Sequence, residues 1–144
     1  MMTGLIVSGH AKFAEGVTSS LHLIAGEQEN YEIVNFAGGS TDEFTEDLKK
    51  AVANLSDCDN IVVLTDITGG TPFQMAAMLT SEHENLRVIG GVNVGLLIEI
   101  SMARTFEEDV DALVDMVINN GKNAIAKFEM PGEDDEDEEV VDGI

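Results

Sequence analysis

The chain has 144 residues, 44% of them hydrophobic and 24% charged, with 14 Gly and 2 Pro. That is a single-domain length with enough apolar residues to fill a core, and it excludes an intrinsically disordered chain. Seven basic residues face 28 acidic ones, a formal net charge of −21, which repels nucleic acid and anionic membrane and suits a basic protein partner.

No apolar run reaches the ~20 residues that a membrane helix needs. Residues 1–7 have neither a basic flank nor a long apolar core, so neither direct membrane insertion nor a signal peptide is expected. The single cysteine, Cys58, leaves no internal disulfide and fits a reducing compartment. These features together predict a cytoplasmic protein.

Leu5-Ile-Val-Ser8 is a short apolar run that ends at Gly9, the pattern of a buried strand. Phe13, Val17, Leu21 and Ile24 then recur at helical spacing up to Gly26. A second strand is predicted over 31–36, closed by Gly38-Gly39. Ser40 with Glu43 forms a capping box before a helix through about residue 55. The third strand, over 60–66, is apolar at four consecutive positions. Gly69-Gly-Thr-Pro72 follows it, with Pro suited to the first turn of a helix through about residue 80. A fourth strand is predicted over 86–89, then helices over 94–103 and 106–119. Asn119-Asn-Gly121 is read as the stop of the last helix, and 123–128 as a final strand. The methionines, among them Met75, Met78, Met102 and Met116, are read as core fillers. From Pro131 onward the chain carries eight acids and no base. The expected organisation is therefore one domain over 1–130 and a disordered acidic tail over 131–144. Without that tail, 20 acids still face 7 bases, a net −13.

Strands that are apolar on both faces and alternate with helices predict an α/β fold. Its sheet is doubly wound and mostly parallel, with helices on both faces and the first strand beside the third. Ligands in such sheets bind beyond the carboxyl ends of the strands, at the point where the winding reverses. There the sequence places Ser8, Gly9 and His10 after the first strand. It places Asp66, Thr68, Gly69, Gly70 and Thr71 after the third, and Asn93 after the fourth. A carboxylate at Asp66 that accepts from one imidazole nitrogen of His10 leaves the other bare as a nucleophile or base. The helix start after Gly70 offers unpaired N–H groups to an anion. Gly69 and Gly70 admit close approach, and the hydroxyls of Thr68 and Thr71 add donors. His22 and His83 are read as structural or solvated, and Cys58 as incidental. No Gly-x-x-x-x-Gly-Lys-Ser/Thr run, no Gly-x-Gly-x-x-Gly after the first strand and no metal-ligand spacing is present. No cofactor and no metal are therefore expected.

Four stretches carry a resemblance: Leu5-Ile-Val-Ser-Gly-His10, Gly26-Glu-Gln-Glu-Asn30, Asp66-Ile-Thr-Gly-Gly-Thr-Pro-Phe73 and Gly91-Val-Asn-Val-Gly-Leu-Leu-Ile-Glu99, which continues to Arg104. In this order and spacing the chain resembles the enzyme IIA component of the mannose-family (mannose/fructose/sorbose) sugar phosphotransferase system. The resemblance implies a phosphotransferase in which His10 takes a phosphoryl group from the phosphocarrier HPr and passes it to enzyme IIB for sugar uptake and phosphorylation. It implies that Asp66 orients the imidazole and that Thr71, at a position where serine is common, helps hold the phosphate. It also implies a homodimer that exchanges its last strand, here 123–128. The acidic tail stands where a linker and a IIB domain would follow, so IIB is expected on a separate chain.

Two other readings remain open on the residues alone. A receiver-type signalling domain would be phosphorylated on Asp66, but would need an acidic pair where Ser8-Gly9-His10 stands. A non-catalytic module would bind a small anion in the same crevice. A third, the related dihydroxyacetone-type phosphotransfer subunit, shares the strand-then-histidine start but lacks the Gly-Gly-Thr-Pro-Phe stretch in this form.

Overall fold

The computed structural model describes residues 2–132. Its sheet is built from β1 (Thr3–His10), β2 (Tyr31–Phe36), β3 (Asn60–Thr65) and β4 (Leu86–Ile89). The order is β2-β1-β3-β4 and every pairing is parallel. β1 therefore lies beside β3, as the sequence predicts. β1 aligns Ser8 with Thr65, so the residues that follow both strands emerge side by side. The winding reverses between them.

Why these runs form a central sheet follows from period two. Leu5 and Val7 of β1, with Val62 and Leu64 of β3, enter one core together with α1 (Phe13–Ala25), α4 (Val94–Ala103) and α5 (Val110–Ala124). Ile6, Ile61 and Val63 point the other way, into a second core with α2 (Thr41–Asn54) and α3 (Thr71–Leu79). Leu5, Ile6, Val62 and Leu64 are fully buried. Both faces of the two middle strands are thus covered, which is why they read as unbroken apolar runs rather than alternating ones. Buried hydroxyls tie the strands crosswise: Ser8 Oγ donates to Val34 O at 2.7 Å and Thr65 Oγ1 to Ile89 O at 2.9 Å.

The helix boundaries show how local chemistry decides. Gly26 closes α1, its N–H bonded to His22 O. Ser40 caps α2, accepting from Glu43 N–H at 3.3 Å. The last helix departs from expectation at both ends. It begins at Val110, not 106, because the Asp109 carboxylate accepts from the N–H groups of Asp111 and Ala112. Phe106 is left exposed in the turn before it. It also runs through Asn119-Asn-Gly121 to Ala124. Gly121 is a point of close approach rather than a stop: a Cβ there would lie 3.2 Å from Leu96 Cδ1 of α4. The final strand expected over 123–128 is consequently not formed within the chain. Asn123 and Ala124 complete α5, and Ile125 and Phe128 are 79% and 78% exposed. Among the described residues, β4 has no paired neighbour on its outer edge.

Methionine placement also corrects the sequence reading. Met75 and Met116 pack half-buried against the two cores, whereas Met78 and Met102 are exposed. Cys58 is buried beside Gly4 and Leu55, and burial pushes its thiol pKa up, which makes it a poor nucleophile. At the amino-terminal end of the sheet, the half-buried guanidinium of Arg104 donates to the carbonyls of Thr3, Glu29 and Asn30 and to the Gln28 side chain. It pins the loop between α1 and β2 to the start of β1. The proposed tail lies outside the described residues beyond Gly132.

Candidate functional site

His10 is the last residue of β1 and Asp66 the first after β3. Asp66 Oδ2 accepts the backbone N–H of His10 at 2.8 Å and meets its ring Nδ1 at 2.9 Å. Asp66 Oδ1 accepts the N–H of Ile67 at 2.8 Å. Burial pushes the Asp66 carboxyl pKa up, but the bonds from the His10 backbone and ring and from Ile67 outweigh it. The carboxyl is held below the ordinary value and stays ionised. An ionised carboxylate only accepts, so the proton sits on Nδ1 and Nε2 carries the free lone pair. The His10 side chain is 42% exposed against 12% for Asp66. The geometry buries the orienting group and presents the reactive one.

Three neighbours shape the ring's seat. Gly9 admits the carboxylate: a Cβ there would lie 3.0 Å from Asp66 Oδ2 and 2.5 Å from Phe13 Cδ1. Gly70 lies under the imidazole, where a Cβ would come within 3.1 Å of His10 Cε1. Phe36, at the end of β2, stands edge-on to the ring at a centroid distance of 5.8 Å.

The segment after Asp66 turns sharply. Gly70 N–H donates to Ile67 O at 3.0 Å, and Gly69 between them has φ +85°, the left-handed position of a type II turn. α3 then starts at Thr71 with Gly70 as its cap residue, no side-chain cap and Pro72 in the first turn. Among the described residues the amides of Thr71 and Phe73 and the Thr71 hydroxyl have no partner. They form a donor set at the helix start that follows Gly70, the residue lying under the His10 ring, and are suited to the oxygens of an anion.

Of the sequence-predicted residues, His10, Asp66 and Gly70 meet directly, and Gly69 and Thr71 flank Gly70 in the turn and at the helix start. Thr68 is exposed, and packed so closely over Gly90 that a Cβ there would lie 2.3 Å from its Oγ1. Ser8 and Asn93 stand apart. The Ser8 hydroxyl is fully buried and bonded to Val34. Asn93 caps α4, its Oδ1 accepting from Leu96 N–H at 2.9 Å. It lines a neighbouring cavity of about 130 Å³ with Gly90, Gly91 and Lys122. Sequence reasoning missed Phe36, Gly90 and Gln74. Phe36 ends the predicted second strand and the Gly90-Gly91 pair follows the fourth, but neither was assigned a role, and nothing in the pattern marked Gln74.

With this geometry in place, comparison with known proteins is decisive. The profile of the family described as "PTS system fructose IIA component" matches residues 4–118. The chain belongs to that family. The Bacillus subtilis "PTS system fructose-specific EIIA component" is 31% identical over 104 residues, which cover 72% of this chain and 71% of that protein. The Escherichia coli K12 "PTS system mannose-specific EIIAB component" is 29% identical over 126 residues. These cover 87% of this chain, which spans 39% of the length of that relative. Among solved structures, the phosphotransferase system component EIIA of Streptococcus agalactiae superposes with a TM-score of 0.80 at 39% identity, covering 88% of this chain and 97% of its own. The mannose/sorbose-specific IIA subunit of Enterococcus faecalis gives 0.82 at 28% identity, covering 92% and 98%. The resemblance to mannose-family IIA components read from the four segments between 5 and 104 is thereby confirmed. Among the described residues, no group of three His, Cys, Asp or Glu could hold a metal, and no helix is long and apolar enough to cross a membrane.

Proposed function

We propose that the chain is a phosphoryl carrier that accepts a phosphoryl group from phospho-HPr on Nε2 of His10 and delivers it to enzyme IIB for sugar uptake and phosphorylation. One observation carries this reading: the 2.9 Å contact from Nδ1 to Asp66, which bares Nε2 on a ring that lies over Gly70, the cap residue of α3.

Each transfer exchanges one P–N bond for another. The bond to the HPr imidazole breaks as the bond to His10 Nε2 forms, with donor and acceptor rings on opposite sides of a loose phosphoryl group. The Nδ1 proton stays on the ring throughout. The phosphorylated ring is therefore cationic, and the Asp66 carboxylate balances that charge at 2.9 Å. The amides of Thr71 and Phe73 and the hydroxyls of Thr71 and Thr68 meet the phosphoryl oxygens, while Gly69 and Gly70 keep side chains out of the way. Delivery to IIB reverses the geometry.

The receiver-type alternative conflicts with Asp66 itself. Both of its oxygens already accept N–H groups, three in all, and its side chain is 12% exposed. The fructose, mannose and sorbose names of the relatives favour a sugar-type IIA over the dihydroxyacetone-type alternative. The proposal includes a phosphotransfer domain over 1–130, an acidic tail over 131–144 and a cytoplasmic location. It also includes a homodimer in which 123–128 is exchanged. The exposure of Ile125 and Phe128 and the open edge of β4 support that exchange.

The test is incubation with phosphoenolpyruvate, enzyme I and HPr, followed by mapping of added phosphate. The His10→Ala variant should take none, and His22→Ala and His83→Ala should match wild type. Phosphate on His10→Ala at the wild-type level would refute the assignment.

A further inference from the structure

We propose that Gln74 is the positioning residue of the phosphate loop, a role that rests on reading His10 as the phosphoacceptor. Gln74 lies in the first turn of α3 and makes two bonds back over the helix start. Its side-chain Nε2 donates to Gly69 O at 2.7 Å, and its backbone N–H donates to Gly70 O at 2.9 Å.

A trans peptide is planar, with C=O and N–H pointing in opposite directions. The peptide linking Gly69 and Gly70 is therefore held at both ends, by Gln74 Nε2 on its carbonyl and by Ile67 O on its N–H at 3.0 Å. In the next peptide, the Gly70 carbonyl is drawn into the helix by the Gln74 N–H, which aims the Thr71 N–H outward past the helix end. Gln74 thus sets two consecutive peptide planes. One places Gly70 under His10 Cε1 and the other points a free donor at the anion position.

The loop needs such a tie. Two consecutive glycines carry the greatest backbone freedom, and Gly69 already sits at φ +85°. α3 has no side-chain cap to order its start. Among the described residues, the Gln74 amide is the one side chain that donates to a carbonyl of the 67–71 turn. Gln74 is exposed and touches neither His10 nor Asp66 through a hydrogen bond, so its effect on chemistry passes through the loop.

The experiment compares full-length wild type with Gln74→Met, which keeps length and helix propensity but removes both side-chain donors. Gln74→Glu serves as a second variant, because its carboxylate cannot donate to Gly69 O. Single-turnover transfer from phospho-HPr is measured across HPr concentrations, together with amide hydrogen exchange at Gly70 and Thr71 and the urea midpoint. Loss of one such bond predicts a maximal rate about three- to tenfold lower. The HPr concentration at half-saturation and the urea midpoint should stay near wild type, and exchange at Gly70 should be faster. A Gln74→Met rate within experimental error of a wild type that does phosphorylate overturns the proposal. If wild type takes no phosphate on His10, the functional reading fails instead, and the exchange data decide the tie alone: unchanged exchange at Gly70 in both variants overturns it.

Discussion

Replacing Asp66 by Asn keeps the side-chain shape but turns one of the two oxygens into an NH₂ group. Three N–H donors converge on Asp66: the His10 backbone and ring on Oδ2, and Ile67 on Oδ1. With its oxygen toward His10 the amide forfeits one bond, that from Ile67; reversed, it forfeits the His10 backbone bond and turns the ring to the tautomer with Nε2 protonated, so the first orientation is the milder case. Nδ1 then donates to a neutral acceptor, and the cationic phosphorylated ring loses its counter-charge. A bond to a charged group contributes about 1.5–3 kcal/mol and a neutral one about 1 kcal/mol. The expected loss of transition-state stabilisation is then about 1.5–2.5 kcal/mol, a rate reduction of roughly ten- to a hundredfold. Rapid-quench transfer from labelled phospho-HPr reads it directly, with circular dichroism as a check on the fold. The same pair makes a pH prediction. The Asp66 pKa is depressed in the folded state, so its contribution to stability is present above the ordinary carboxylate range and is lost as pH falls through the folded value. The stability gap between wild type and Asp66→Asn should therefore narrow in acid. A transfer rate within twofold of wild type would refute the orienting role.

Arg104→Ala removes four hydrogen bonds at the far end of the sheet; urea unfolding should show a loss of about 2–3 kcal/mol, while the folded fraction still accepts phosphate. Association with HPr, followed by stopped flow on a chain ending at Met130, should slow as salt rises. The remaining net −13 acts over a screening length of ~8–10 Å. The same truncated chain should accept phosphate at the wild-type rate, because every residue assigned to the chemistry precedes it; a large loss would place part of the machinery in 131–144.

How far the sequence could be read depended on how local each cause was. The four strands were legible because burial on both faces demands unbroken apolar runs, and Ser40 was legible because a cap is set within three residues. The meeting of His10 and Asp66 followed from placing the first strand beside the third. Gly121 misled because a glycine that ends a helix and one that lets another helix approach look the same in one dimension; only the 3.2 Å to Leu96 Cδ1 separates them. Met78 and Met102 misled because hydropathy does not record which face of a helix is covered. Phe36 and Gln74 were invisible for a different reason. Each acts through a geometry that exists only after the turn or the sheet is built: a ring edge 5.8 Å from an imidazole, and an amide reaching back to one carbonyl.

The most direct test of the central claim is the position and lability of the phosphate after incubation with phosphoenolpyruvate, enzyme I and HPr. The account predicts one phosphoryl group on His10 Nε2, lost in acid and stable in alkali. A phosphate on Asp66, lost in alkali, or saturable anion binding with no covalent mass change, would contradict it.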